Sequence, residues 1–98
     1  MNGKIETYIG FAIKKGAVVF GCDNMALTRK KLRVILRTKS LSENSVKDLE
    51  NIAKKRCCSI AIIDDYDILQ KRNCKALAIC DDSLANAIKA QLNLTDNA

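Results

Sequence analysis

Between positions 5 and 92 four short apolar runs alternate with stretches of helical periodicity, and that order leaves few folds open. The runs Ala17–Phe20, Arg33–Arg37, Ser59–Ile63 and Lys75–Cys80 are rich in Val, Ile and Leu and short enough to be strands. Around them Ile5, Tyr8, Ile9 and Ala12 recur at helical spacing, as do Val46, Leu49, Ile52 and Ala53, and then Leu84, Ile88 and Leu92. Segments 23–32 and 65–71 read as shorter helices. Ser42, followed by Glu43, has the chemistry of a helix N-cap, and Asp81, Asp82 and Ser83 offer the same to the last helix. The order α-β-α-β-α-β-α-β-α predicts an α/β fold. Its form is a three-layer α/β/α sandwich with a central four-stranded sheet, largely parallel or mixed, covered by helices on both faces.

Ninety-eight residues without proline, low-complexity sequence or internal repeat are expected to form one domain over 1–98, with 93–98 as a flexible tail. The longest apolar stretch, Cys57 to Ile63, is far too short to span a bilayer, so no membrane partner is expected. The start, Met1-Asn2-Gly3-Lys4, lacks a signal-peptide core, and five cysteines make an odd number. Both features point to reduced thiols and a cytoplasmic location.

Catalysis has little to work with. The chain contains no histidine, which removes imidazole bases and ligands. Gly16 and Gly21 have the spacing of a phosphate loop, but Cys22-Asp23 stands where Lys-Ser/Thr is needed and the intervening residues read as a strand. Cys22, Cys57, Cys58, Cys74 and Cys80 contain no C-x-x-C pair, and Cys58 and Cys80 read as small buried apolar residues. The acidic clusters Asp64–Asp67 and Asp81–Asp82 fall where strands hand over to helices, so capping is their expected role. An enzyme is not expected, and neither a metal nor another cofactor is.

Charge points elsewhere. Seventeen Lys and Arg oppose eleven Asp and Glu, a net of +6. Residues 1–56 hold thirteen basic and five acidic side chains (+8), and residues 57–98 hold four and six (−2). A field concentrated on one part of a small domain favours a polyanion. Basic residues cluster at Arg29, Lys30, Lys31 and Arg33, at Arg37 and Lys39, at Lys14 and Lys15, and at Lys71, Arg72 and Lys75. The stretch Gly16–Asn24 ends a strand on glycine and opens a helix with polar residues, so N–H groups and side chains there are free to meet an anion or a base edge. With only Tyr8, Phe11, Phe20 and Tyr66 as aromatics, a base-stacking platform is not expected, and a structured, shape-read RNA is.

Three segments carry a family resemblance: Ile9-Gly10-Phe11-Ala12-Ile13-Lys14-Lys15-Gly16-Ala17-Val18-Val19-Phe20-Gly21, then Leu32-Arg33-Val34-Ile35-Leu36, then Leu41-Ser42-Glu43-Asn44-Ser45. In that order the chain from Ile5 to Leu92 resembles the ribosomal protein L-seven-Ae, L-thirty-e and Gadd-type superfamily, most nearly its bacterial YlxQ-like branch. The resemblance implies an α/β/α fold that binds kink-turn RNA, a sharply bent duplex with tandem sheared G·A pairs. It also implies a Gly-x-Asn-Glu-x-x-Lys stretch opening the second helix against those pairs. Here the stretch is Gly21-Cys22-Asp23-Asn24-Met25-Ala26-Leu27. Gly21 matches, Asp23 and Asn24 exchange amide and acid, and Leu27 replaces the lysine. Lys30 and Lys31, three and four residues on, are expected on the helix face of Leu27 to restore its charge. A second RNA-touching loop is implied near Lys71-Arg72-Asn73-Cys74, and Thr38-Lys39-Ser40 replaces an acidic segment of the family.

The expectation is a monomeric, non-catalytic protein that binds structured RNA, of the kink-turn kind or ribosomal. Gly21, Cys22, Asp23 and Asn24 would meet base edges and backbone beside Leu27, while Lys30, Lys31, Arg33, Lys71 and Arg72 would neutralise phosphates. The alternative is a protein–protein adaptor on the same fold, its partner ribosomal or otherwise, with Leu27 as an apolar contact.

Overall fold

Residues 3–92, those described by the computed structural model, alternate helix and strand throughout. In order they are α1 (Gly3–Lys15), β1 (Val18–Phe20), α2 (Cys22–Leu27), β2 (Val34–Thr38), α3 (Glu43–Arg56), β3 (Ser59–Ile63), α4 (Asp67–Gln70), β4 (Ala76–Ile79) and α5 (Asp82–Gln91). The tail expected over 93–98 lies outside the described residues.

The sheet is mixed, in the order β1-β4-β2-β3. β2 and β3 are parallel, and β4 runs antiparallel to both β1 and β2. The length of the connection explains the reversal. A parallel return from β3 requires a helix that spans the sheet, whereas α4 has four residues and rises only about 6 Å. The chain therefore arches over one end of the sheet and re-enters reversed. That arch sets the 71–75 turn beside the end of β1, where Gly21 N–H donates to the Ala76 carbonyl at 3.0 Å. The α3 crossover has fourteen residues, enough to bring β3 in parallel to β2.

Strand alternation sorts the core onto the two faces. Val34, Leu36, Leu77 and Ile79 meet Ile5, Ile9 and Ala12 of α1, Leu69 of α4, and Ala85 and Ile88 of α5. On the other face Ile35, Ala76, Ala78 and Val19 meet Met25 of α2 and Leu49, Ile52 and Ala53 of α3. Leu36, Leu77, Ile9 and Leu49 are fully buried; at about 2–5 kcal/mol for each Leu→Ala truncation, such residues anchor the three layers.

The expected caps are present at α3 and α5. Ser42 Oγ accepts from the Ser45 N–H at 3.3 Å, and Asp81 Oδ2 accepts from the Leu84 N–H at 2.9 Å. At α4 the cap differs: Tyr66 is the N-cap and its side chain does not cap the helix, while Glu6 of α1 accepts from the Ile68 N–H at 3.5 Å. Cys58 and Cys80 are half-buried against the α2–α3 face of the sheet rather than enclosed in it. No described helix is long and apolar enough to cross a membrane.

The second helix ends earlier than its periodicity predicts. α2 stops at Leu27, and Thr28 is extended, with φ −68° and ψ 146°. The cause lies in another element: Arg56, closing α3, donates through Nη2 to the carbonyls of Met25 (3.1 Å), Ala26 (3.2 Å) and Thr28 (2.7 Å). A guanidinium so placed satisfies the orphan carbonyls of the helix end and completes its cap. Residues 28–33 then run back as irregular chain to β2.

Candidate functional site

At the end of the sheet where β1 stops and β4 starts, two loops distant in sequence line one open groove of about 480 Å³. Gly21, Cys22, Asp23 and Asn24 form one side, Arg72, Asn73, Cys74 and Lys75 the other, and Leu41, Ser45 and Asp48 close the flank. Local geometry explains each wall. Gly21 has φ 85° and ψ 152°, a conformation essentially reserved for glycine, and it turns the chain from β1 into α2. A Cβ there would meet no atom within 4 Å, so backbone torsion and not crowding selects glycine. Across the groove Asn73 takes φ 51°, which asparagine tolerates better than most residues. Its turn directs Arg72 over the Phe20 ring, 5.0 Å from the centroid.

Asn24 is exposed and its Nδ2 donates to the Phe20 carbonyl at 2.7 Å. The donor half of the amide is thereby held, which turns the acceptor Oδ1 away from the backbone. Asp23 is exposed beside it. Cys22 is half-buried, with Sγ 3.9 Å from the Ser45 carbonyl. Burial raises its thiol above the ordinary value, and the carboxylates of Asp48 and Asp23 raise it further. Burial raises the Cys74 thiol too, offset in part by the backbone at Ala76 and by the charge of Arg72. Both stay protonated at neutral pH, which suits packing and not nucleophilic chemistry. Two carboxylates, Asp23 and Asp48, balance Arg72 and Lys75 around the lining. Among the described residues no cluster of three or more Cys, Asp or Glu could hold a metal ion.

The remaining sequence-predicted residues lie away from this groove. Leu27 is 82% exposed at the end of α2 and forms no part of the lining. Lys30 and Lys31 do not share its helix face, because the helix has already ended. Lys30 Nζ instead donates to the Gly16 carbonyl at 2.7 Å, and Lys31 is exposed in the 28–33 segment. Arg33 Nε pairs with Asp82 Oδ1 at 3.0 Å. The pairing of Val34 with Ile79 sets Arg33 at the opposite end of the sheet from Ala76, about 13 Å away along the strands. Lys71 is exposed at the end of α4 beside the groove but outside its lining.

Leu41, Ser45 and Asp48 were absent from the sequence-derived set. Ser45 and Asp48 stand three apart on α3, a spacing that puts them on one face, but only the docking of α3 against α2 turns that face to the groove. In sequence they read as ordinary solvated helix positions.

No family model matches the chain, and no curated protein does. Among solved structures it is similar to a protein with unknown function from Bacillus halodurans C, with TM-score 0.78 and 10% sequence identity. That similarity covers 92% of this chain and 97% of the other and is one of fold.

Proposed function

We propose that the chain is a non-catalytic RNA-binding protein that takes structured, kink-turn-like RNA into the groove between the α2 opening and the 71–75 turn. One observation carries the reading: Gly21–Asn24 and Arg72–Lys75, some fifty positions apart in sequence, line a single open groove. The superfamily resemblance implies RNA contacts from these same two loops. Asn24 stands where that resemblance implies an acid, and its outward Oδ1 presents the acceptor that an acid would. Asp23 adds acceptors for base N–H groups. Arg72 and Lys75 bring to the groove the positive charge that Leu27 lacks.

The test is calorimetric binding to a kink-turn RNA and to a straight duplex of equal length across a salt series. A kink-turn preference that persists as salt rises is the expected result, and Asn24→Ala should reduce it by about 5- to 150-fold, the worth of one base-edge contact. Arg72→Gln should weaken both RNAs and lower the salt slope by about one. Equal affinities for the two RNAs, falling together with salt, would overturn the reading.

A second reading, a protein–protein adaptor, rests on Leu27, a large apolar side chain 82% exposed at the end of α2. A preparation free of nucleic acid that passes heparin unretained would favour it.

A further inference from the structure

We propose that β3 is a self-association edge: two copies pair their β3 strands antiparallel about a two-fold axis near Ala61 and join their sheets. The proposal is independent of the RNA reading.

The sheet order leaves β1 and β3 as the outer strands. β1 is three residues long, a length that gives little to pair with. β3 has five residues, Ser59-Ile60-Ala61-Ile62-Ile63, with no proline, charge or bulge. Among the described residues no hydrogen bond joins 59–63 to anything beyond β2. An outer strand of β-branched residues with its backbone edge open is a template for a further strand.

Side chains and charges select the occupant and its direction. Ile62 is 47% exposed, and Ile60, two positions away on the same face, is half-buried. Antiparallel pairing centred on Ala61 sets Ile62 of each copy opposite Ile60 of the other, which covers both. The strand is also polar in charge along its length. Lys54 and Lys55, both exposed, precede it at the end of α3, and Asp64 and Asp65 follow it. Antiparallel pairing brings the acidic end of one copy to the basic end of the other, twice over. Parallel pairing would set like charge against like. The strand is therefore complementary to a reversed copy of itself, which gives a closed two-fold dimer and not a growing fibre. A contact of five residues per copy is small, so the dimer should be weak and concentration-dependent.

Sedimentation of the full chain, in reductant because Cys57 is exposed, tests this from micromolar to millimolar protein. The expected mass rises from 10.8 kDa toward twice that value. Ile62→Lys should raise the dissociation constant at least about tenfold with an unchanged circular dichroism spectrum. Lys55→Glu should raise it as well, and Asp65→Lys in the same chain should restore it. The charge swap leaves the strand untouched and so decides the matter if Ile62→Lys fails to fold. A monomer throughout the range, or a dimer that either variant leaves unmoved, would overturn the proposal.

Discussion

Gly21 shows how one residue can decide a site. At φ 85° and ψ 152° any side chain costs about 1–3 kcal/mol in backbone torsion, although the space around it is empty. Gly21→Ala should therefore lower the urea-unfolding free energy by that amount. A second residue, Asp81, carries a testable pH dependence. The hydrogen bond from Lys15 (2.7 Å) holds its carboxyl below the ordinary value, and the Leu84 N–H adds to this. A depressed folded pKa means stabilisation that is present above about pH 4 and lost as pH falls through the folded value. Wild type should thus be more stable than Asp81→Asn at pH 7, and urea titrations should show that margin shrinking as pH is lowered through the acid range.

The helices and strands were mostly legible from periodicity and caps, and the exceptions have a common origin. The apolar runs became strands because Val34, Leu36 and Ile35 alternate between two packed faces, as their spacing requires. Ser42 and Asp81 act within four residues of themselves, so their roles could be read locally. The end of α2 could not be read this way, since its cap comes from Arg56, 31 positions from Met25. Arg56→Met should cost about 1–3 kcal/mol, the range for charge-assisted bonds to backbone carbonyls. Hydrogen exchange should show the loss as faster exchange of the α2 amides, with the α5 amides little changed. The reversal of β4 was obscured for a related reason. Alternation predicts a crossover, but α4 is too short to complete one, and a four-residue helix is hard to tell from a turn in sequence.

In the whole molecule the charge divides differently from its linear order. The first 56 residues carry +8, yet much of that charge serves the fold: Lys15 pairs with Asp81, Arg33 with Asp82, Lys30 with a carbonyl, and Arg56 with three. The groove lining itself is balanced. Arg29, Lys31, Lys54 and Lys55 remain exposed to set the long-range field. If the proposed RNA binding holds, reversing Lys31 and Lys54 to Glu should slow association with RNA at low salt and leave dissociation nearly unchanged. The effect should fade as the Debye length drops below about 8 Å. Stopped-flow rates at two ionic strengths would separate steering from contact.

Residue order was enough to reveal the layers, the number of strands and the caps of α3 and α5, because each depends on neighbours within a turn or two of chain. It could not reveal where α2 ends, that Lys30 and Arg33 are tied down far from Gly21, or that Ser45 and Asp48 flank the groove. Those facts depend on Arg56 reaching α2, on β4 entering reversed between β1 and β2, and on α3 docking beside α2. Such contacts join residues tens of positions apart, and their selection rests on packing and hydrogen-bond completion in three dimensions, for which the linear order of side chains holds no local signal.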